Sequence, residues 1–311
     1  MGKRGQQQKA SARAPGSVGP REPCPCGSGR RYKSCHGAVS GSVPFVARTF
    51  AGFAGECDMV AMREFVPAAT APLTLVDNAD RPLLLCSLLP GALPALVRED
   101  GGIWLGLQVQ HNSGDASRDL AYAVELALSA ASGESVGMPD LPGPGVRLQE
   151  LVDTETPLDV TVHEGFDFWV EGMEDESGQI AATLEQANAA AAPTTRLDSV
   201  EAAYWTSSGT KEHLRWVLPQ PEDRVLDALA RLHAAGDDLL GAESRLVGSF
   251  RAHALLVPVW ELPVGTGAEA LEEPAAAFTD RLVDALGSEA PLTSAQRAAR
   301  AGLATRQVTI R

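Results

Sequence analysis

Residues 23–37 read Pro23-Cys24-Pro25-Cys26-Gly27-Ser28-Gly29-Arg30-Arg31-Tyr32-Lys33-Ser34-Cys35-His36-Gly37. This stretch holds three of the five cysteines and one of the six histidines of the sequence. Cys24, Cys26, Cys35 and His36 form a Cys₃His set, which is the ligand type of a closed structural zinc site. A segment this short cannot bury a core, so the metal would supply its folding free energy. The pattern therefore predicts a zinc knuckle that leaves no open position for a catalytic water.

Zinc binding competes with two simpler interpretations of this stretch, a disordered basic tail with incidental thiols and a disulfide. A bond between Cys24 and Cys26 is sterically poor, and five cysteines leave one unpaired in any full pairing. Metal binding also gives the neighbouring cations a role, because Arg30, Arg31 and Lys33 favour ionised thiols. We therefore favour zinc, and we expect the same three cations to contact a partner.

The knuckle also resembles a known motif. The pattern Cys24-x-Cys26-x-Ser28-Gly29-x-x-Tyr32-Lys33-x-Cys35-His36-Gly37 is similar at every motif position to the SEC-C motif, which is named for the zinc tail of the SecA preprotein translocase ATPase. The resemblance implies Zn²⁺ on Cys24, Cys26, Cys35 and His36. It also implies a protein partner such as a chaperone, a ribosome or a translocation component, since the SecA tail contacts the chaperone SecB.

The SecA ATPase activity is not expected to accompany the motif, because the sequence contains no G-x-x-x-x-G-K-[ST] phosphate-binding loop. From Phe50 to Arg311 the chain resembles an uncharacterised actinobacterial family that pairs the motif with domain of unknown function 5926. The resemblance is carried by Asp159-Val-Thr-Val-His-Glu-Gly-Phe-Asp-Phe-Trp169 and Ser199-Val-Glu-Ala-Ala-Tyr-Trp205. This second resemblance implies no activity.

Charge divides the 311-residue sequence into an acidic body and two basic ends. Residues 1–37 carry a net charge of +7, and the remainder carries −21. Residues 291–311 contain four arginines and no acid. An acidic body disfavours broad contact with nucleic acid, whereas a basic end can touch phosphate, an acidic protein or the chain's own acidic surface.

The cellular compartment is predicted from the absence of signal-peptide and membrane-spanning patterns in the sequence. Residues 1–20 have no apolar core of a signal peptide, and no run approaches 18 consecutive apolar residues. Reduced, scattered cysteines fit a cytoplasmic protein. Cys57 and Cys86 lie in apolar surroundings, so we expect them to be buried and inert.

The body is predicted to be α+β, with largely antiparallel sheets of hairpins and packed helices. Hairpins are expected at 158–170 and at 200–218, and one or two strands at 246–262. Helices are expected after Asp115, before Pro193, from Pro221 to Gly236 and from Pro274 to Gly287. The predicted divisions are a disordered basic arm (1–20), the knuckle (21–37), a linker (38–44), two α+β units (45–147 and 148–290) and a basic C-terminal tail (291–311).

Three groups of residues in the body are weak candidates for chemistry. Gly265-Thr-Gly267-Ala-Glu-Ala270 fits a dinucleotide-binding fingerprint, but a loop that caps a helix explains it as well. His163, Glu164 and Asp167 are suited to acid–base work or cation binding, yet a solvated turn is the simpler explanation. His111 is either a polar site residue or an ordinary loop residue. The five tryptophans are expected in the core.

The sequence thus favours a cytoplasmic zinc-binding adaptor or regulatory protein over an enzyme. In this hypothesis the knuckle docks a partner and the acidic body carries a second interaction. The alternative is an enzyme of unknown activity whose pocket lies in the body, with the knuckle as a targeting tag. A third possibility is a structural protein whose zinc tail completes the fold.

Overall fold

The computed structural model of the chain describes residues 43–171, 179–241 and 243–306. The described residues from Pro44 onwards belong to one compact unit. The predicted basic arm, the zinc knuckle and most of the linker lie outside the described residues. The predicted division of the body between residues 147 and 148 stays a prediction.

The first sheet has six strands in the order β5-β3-β4-β2-β1-β6. The strands are β1 (Ala69–Leu73), β2 (Leu83–Cys86), β3 (Ala95–Val97), β4 (Ile103–Gly106), β5 (Ser135–Val136) and β6 (Thr161–Val162). β2 and β4 pair in parallel, with Leu85 opposite Leu105, while the other neighbours pair antiparallel. The sheet is therefore mixed but largely antiparallel.

The second sheet has five strands in the order β10-β11-β9-β8-β7. They are β7 (Thr194–Arg196), β8 (Ala203–Ser207), β9 (Glu212–Trp216), β10 (Arg245–Ala252) and β11 (Leu255–Leu262). All four neighbouring pairs are antiparallel. The prediction of an α+β body with largely antiparallel sheets is confirmed.

Seven α-helices are described, and they pack in layers around the two sheets. They are α1 (Glu56–Glu64), α2 (Ala116–Ser129), α3 (Leu148–Leu151), α4 (Gln179–Ala190), α5 (Glu222–Ala235), α6 (Glu272–Gly287) and α7 (Ser294–Thr305). α1 and α2 share one core with both sheets. α4 packs on the other face of the first sheet, and α5, α6 and α7 pack on the other face of the second.

The helix ends agree with the predicted stop and start signals. The side chain of Asp115 accepts a hydrogen bond from the N–H of Ser117 and so caps α2. α5 ends at Gly236, whose φ of 80° is a left-handed conformation that glycine adopts without strain. These local signals are reliable because they act within one turn of the helix.

The predicted hairpin at 158–170 is wrong. Only Thr161–Val162 forms a strand, and it pairs with β1. Asp167–Val170 is a 3₁₀ helix, in which Trp169 is buried against Phe166 with ring centroids 4.3 Å apart. The apolar residues of this segment therefore follow a helical spacing towards a small core on the first sheet, and the apparent alternation does not reflect a strand.

Two non-glycine residues form the tight turn between β10 and β11. His253 and Ala254 have φ values of 48° and 61°, which lie in the left-handed region. Such a turn favours Asn-Gly, so both residues are strained. The ring of His253 is held by Glu64 at 2.9 Å and by Phe50 at a centroid distance of 5.2 Å. These contacts with the first half of the body compensate for the strain of the turn.

Within the described ranges, no helix has both the length and the apolar character needed to cross a bilayer.

Candidate functional site

A groove of about 720 Å³ runs beside α6. We call it the α6 groove. It is lined by residues 199–201 before β8, by residues 216–220 after β9, and by one face of α6 from Glu273 to Leu286. It is a concave surface assembled from several elements of the body, so it is the default candidate for a binding site.

Polar contacts hold the two walls of the α6 groove in place. The carboxylate of Glu272, the first residue of α6, accepts hydrogen bonds from the N–H groups of Asp198 (3.0 Å) and Ser199 (2.8 Å). On the other wall, the guanidinium of Arg48 donates to the carbonyl oxygen of Pro219 at 3.1 Å. Both loops are therefore fixed by the body of the protein, and the groove is preformed.

The floor of the α6 groove is apolar and its rim is acidic. Trp216, Leu218 and Leu282 are buried beneath it, while Val283 is 60% exposed. The charged lining residues are Glu201, Glu273 and Asp280, and no Lys or Arg lines it. The groove therefore combines apolar contact area with a negative field.

The glycine loop that matches a dinucleotide fingerprint is occupied by a side chain of the protein itself. Glu212 on β9 accepts hydrogen bonds from the N–H groups of Gly265 (2.5 Å) and Gly267 (3.0 Å), and from Nε1 of Trp205 (2.9 Å). Burial acts to raise the pKa of this carboxyl, but the hydrogen bonds outweigh it and hold the pKa below its usual value. An internal carboxylate thus takes the place that a phosphate would need.

Among the described contacts, no hydrogen bond joins His163, Glu164 and Asp167 to one another. Nε2 of His163 lies 2.9 Å from the hydroxyl of Thr70, and its ring stacks on Phe168 at 4.6 Å. Burial lowers the pKa of His163. Asp167 is exposed and accepts from the Asn188 amide at 3.4 Å, and Glu164 is also exposed. None of the three lines the α6 groove.

His111 lies in the loop between β4 and α2, and this loop and the first turn of α2 each hold a buried polar atom without a hydrogen-bond partner among the described residues. They are Nδ1 of His111 and Oδ1 of Asp119, whose other oxygen accepts from the N–H of Ser113. Gln108 ties the same loop to α1 by donating to the carbonyl oxygens of Met62 and Val66. The two hydrogen bonds of Gln108 thus anchor the loop.

All five tryptophans were expected in the core; Trp169, Trp216 and Trp260 are buried, whereas Trp104 and Trp205 are half-buried at its edge. Trp216, Trp260 and Phe278 form one aromatic cluster with centroid distances between 5.3 and 6.3 Å. The indole of Trp260 donates to the carbonyl oxygen of Asp238 at 2.8 Å. These rings stabilise the packing of α6 on the second sheet.

A buried ionic cluster joins α1 to the second sheet. The guanidinium of Arg196 donates to both carboxylate oxygens of Asp58 at 3.1 Å, and the hydroxyl of Tyr204 donates to Oδ1 at 2.5 Å. Burial, followed by the charge of Asp58, raises the pKa of Tyr204 well above its usual value. The three side chains satisfy one another, so the cluster is suited to holding α1 against the second sheet.

The two cysteines of the body are buried and free, as predicted. Burial raises the pKa of Cys57 to about 12 and that of Cys86 still further. At neutral pH both remain thiols, so neither is a nucleophile or a ready metal ligand.

The predicted metal ligands and partner-binding cations lie outside the part of the chain that the structure describes. They are Cys24, Cys26, Cys35 and His36, and Arg30, Arg31 and Lys33. Among the residues described, no group of three or more His, Cys, Asp or Glu side chains is arranged to hold a metal ion.

Two features were missed by sequence reasoning. Glu212 accepts hydrogen bonds from glycines that lie more than fifty residues later in the chain, and no local sequence pattern indicates such a contact. The α6 groove is assembled from three separate segments, of which only the acids on α6 are visible in the sequence. The helical spacing of Glu273 and Asp280, which places both acids on one face of α6, was the one sequence pattern that indicated the groove.

Comparison with known proteins identifies the amino-terminal motif. Residues 21–38 match the SEC-C motif. Curated proteins similar to this segment are protein translocase subunits SecA, from Alcanivorax borkumensis (54% identity over 35 residues), Bacteroides thetaiotaomicron (56% over 34) and Myxococcus xanthus (67% over 27). The matches cover 9–11% of this chain and 3–4% of those proteins. The similarity is thus confined to the motif.

The body is assigned by a separate match. No solved structure matches the chain. Residues 49–311, which include every helix and strand described above, match the family of unknown function DUF5926 over their whole length. The chain therefore belongs to the DUF5926 family of unknown function and carries a SEC-C motif ahead of the family domain.

Proposed function

We propose that this protein is a cytoplasmic zinc-binding adaptor whose SEC-C motif docks a protein partner. In this proposal one Zn²⁺ is held by Cys24, Cys26, Cys35 and His36. The observation that carries it is that all four donor residues are present within the matched motif at residues 21–38. Three thiolates and one imidazole suit tetrahedral Zn²⁺ and fill its coordination, which favours a structural role for the metal.

The chemistry of the segment supports docking more than catalysis. A closed site offers no position for a reactive water, so the bound metal would stabilise the knuckle and would not activate a substrate. Arg30, Arg31 and Lys33 lie between the two pairs of ligands and would form a positively charged surface once the knuckle folds. Such a surface suits an acidic protein, or a ribosomal or translocation component.

The described body supports the assignment of the metal to the motif. Its two cysteines are buried thiols with raised pKa values, and its described residues contain no cluster suited to a metal ion. Stoichiometric zinc in the full chain would therefore be expected to depend on residues 21–38. Reduced thiolate ligands also fit a cytoplasmic location.

Affinity capture with the full chain tests the docking role. The intact protein and a Cys35→Ser variant would be compared as baits in host lysate, after their zinc content has been measured. We expect a protein partner that the intact chain retains and the variant loses. Cys57→Ala is the matched control, because it removes a thiol from the body and leaves the motif intact.

A second variant separates docking from folding of the knuckle. Arg30→Gln combined with Arg31→Gln keeps all four ligands and Lys33 and puts no negative charge beside the thiols, so zinc content at saturating zinc should be unchanged while capture of the partner is lost. An identical set of captured proteins for the intact chain, Cys35→Ser and the charge variant would contradict the proposal and would move the function to the body.

A further inference from the structure

The α6 groove lies in the family domain and is chemically different from the proposed zinc knuckle. Its floor offers apolar side chains, of which Val283 is 60% exposed and Trp216 is 4% exposed. The lining of α6 runs from Glu273 to Leu286, which is about 20 Å along a helix axis. The groove is therefore long enough to receive about four turns of a second helix.

The charged side chains that line the α6 groove are all acidic, and Arg48, whose guanidinium contacts Pro219 on one wall, is paired with Glu56. Glu201 stands on the loop before β8, and Glu273 and Asp280 stand on α6. No salt bridge neutralises these three carboxylates among the described contacts. An anionic ligand such as a nucleotide is disfavoured here, whereas a cationic one would be attracted.

We propose that the α6 groove binds a basic amphipathic segment of a partner protein. Its apolar side chains would lie on the floor between Trp216 and Val283. Its Lys or Arg side chains would pair with Glu201, Glu273 and Asp280. This mode of recognition, a helix laid into an apolar groove, derives affinity from the buried apolar area and orientation from the charges at the rim. The proposal is independent of zinc binding at residues 21–38.

Binding of a defined peptide tests the charge requirement. The probe is a fluorescently labelled peptide of about 14 residues with Leu on one helical face and Lys on the other. Anisotropy titration of the full chain should show saturable binding, and a Leu/Glu peptide of the same pattern should not bind. Glu273→Lys combined with Asp280→Lys should weaken the Leu/Lys peptide at least about fivefold.

The matched control reverses the same number of charges elsewhere. Asp77 and Asp80 are exposed on the β1–β2 turn of the first sheet, away from the groove. Asp77→Lys combined with Asp80→Lys gives the same net charge as the groove variant. This control variant should change the affinity for the Leu/Lys peptide by less than about twofold relative to the intact chain. Equal weakening by both variants would show non-specific attraction to an acidic surface and would overturn the proposal.

A substitution on the floor tests the apolar contact. Val283 in the groove and Val264 outside it are similarly exposed, at 60% and 64%. Val283→Arg should weaken the Leu/Lys peptide about tenfold, whereas Val264→Arg should have little effect. Unfolding curves of both variants would show that each is folded. An unchanged affinity in folded Val283→Arg would overturn the proposal.

Two other occupants of the groove give distinct results. If the groove joins two copies of the chain, the intact protein will be a dimer by light scattering, and Val283→Arg will convert it to a monomer. If peptide binding appears only after Lys3, Arg4, Lys9 and Arg13 are changed to Gln, the occupant is a segment of the same chain. Either result would overturn the assignment to a partner protein.

Discussion

The carboxylate of Glu212 on β9 accepts a hydrogen bond of 2.5 Å from the N–H of Gly265, in the loop that joins β11 to α6. Gly267 and the indole of Trp205 donate to the same carboxylate. Glu212 is 4% exposed, so this interaction is shielded from water. A glycine loop that resembles a phosphate site therefore serves to connect the second sheet to α6, and α6 in turn forms one wall of the α6 groove.

Removal of this internal anion should destabilise the body. Glu212→Ala leaves the N–H groups of Gly265 and Gly267 and Nε1–H of Trp205 without their acceptor. We expect the free energy of unfolding to fall by about 2–4 kcal/mol, because three hydrogen bonds to a buried carboxylate are lost. Urea unfolding followed by tryptophan fluorescence measures the change.

Glu269→Ala is the control for this prediction, since Glu269 is exposed in the same loop region. Its effect should stay within about 0.5 kcal/mol. If the two variants were equally stable, the hydrogen bonds to Glu212 would contribute nothing and the role given to this loop would be wrong.

The free energy of unfolding should also fall in the acid pH range, because Glu212 and Asp115 become protonated there. Both carboxyls have pKa values held below their usual range, although burial opposes the shift. Hydrogen bonds from Gly265 and Gly267 cause it for Glu212, and those from Arg147 and Thr49 cause it for Asp115. In the unfolded chain the pKa values of these two carboxyls are about 4.3 and 3.9. The stabilisation is thus complete above those values and is lost as the pH falls through the folded-state pKa values.

Unfolding experiments between pH 7 and pH 3 check this dependence. The free energy of unfolding of the intact chain should drop below about pH 4.3. Glu212→Gln should lower stability at pH 7 and flatten the drop, because the amide does not titrate. Parallel pH profiles for the intact chain and the variant would contradict the assignment.

The cluster of Asp58, Arg196 and Tyr204 should be strongly cooperative. Arg196→Ala leaves a buried carboxylate with one remaining donor, so a loss of about 3–5 kcal/mol is expected. The double variant with Asp58→Ala should cost less than the sum of the single variants, since it removes both charges. A double-mutant cycle in urea measures this coupling.

Arg300 provides a contrast with the buried cluster, because its partner Asp223 is exposed and its partner Asp227 is only half-buried. Arg300→Ala should cost less than about 1 kcal/mol. Additive effects of the Asp58 and Arg196 substitutions would mean that the cluster does not act as a unit, and the account of how α1 is joined to the second sheet would then fail.

The strained turn between β10 and β11 offers a stabilising substitution. Ala254 has a φ of 61°, where a Cβ atom is disfavoured and glycine is not. Ala254→Gly should therefore raise the free energy of unfolding by about 0.5–1 kcal/mol. Thermal unfolding would detect the gain as an increase in Tm, and a decrease in Tm would show that the turn is not strained at this residue.

The fold was predictable where local signals decide it. Asp115 caps α2, and Gly236 ends α5 in a left-handed conformation, as their residue types predict. The segment at 166–170 was misassigned because short apolar runs suit strands and helices equally. Burial of Trp169 against the first sheet decided between them.

The candidate site was predictable only in part, because it depends on contacts between distant segments. The glycine loop was correctly expected to lead from a strand to a helix, but its occupant, Glu212, comes from another strand. The α6 groove depends on Glu272 holding Ser199 beside α6, which joins residues 73 positions apart. Patterns of local spacing contain no information about such pairs.

The most direct test of the zinc-binding account is the metal content of the full chain, purified under reducing conditions without added zinc and measured by plasma mass spectrometry. The account predicts one zinc per chain, its loss in Cys35→Ser, and its retention in Cys57→Ala. An intact chain without stoichiometric zinc, or a Cys35→Ser variant that keeps it, would contradict the account.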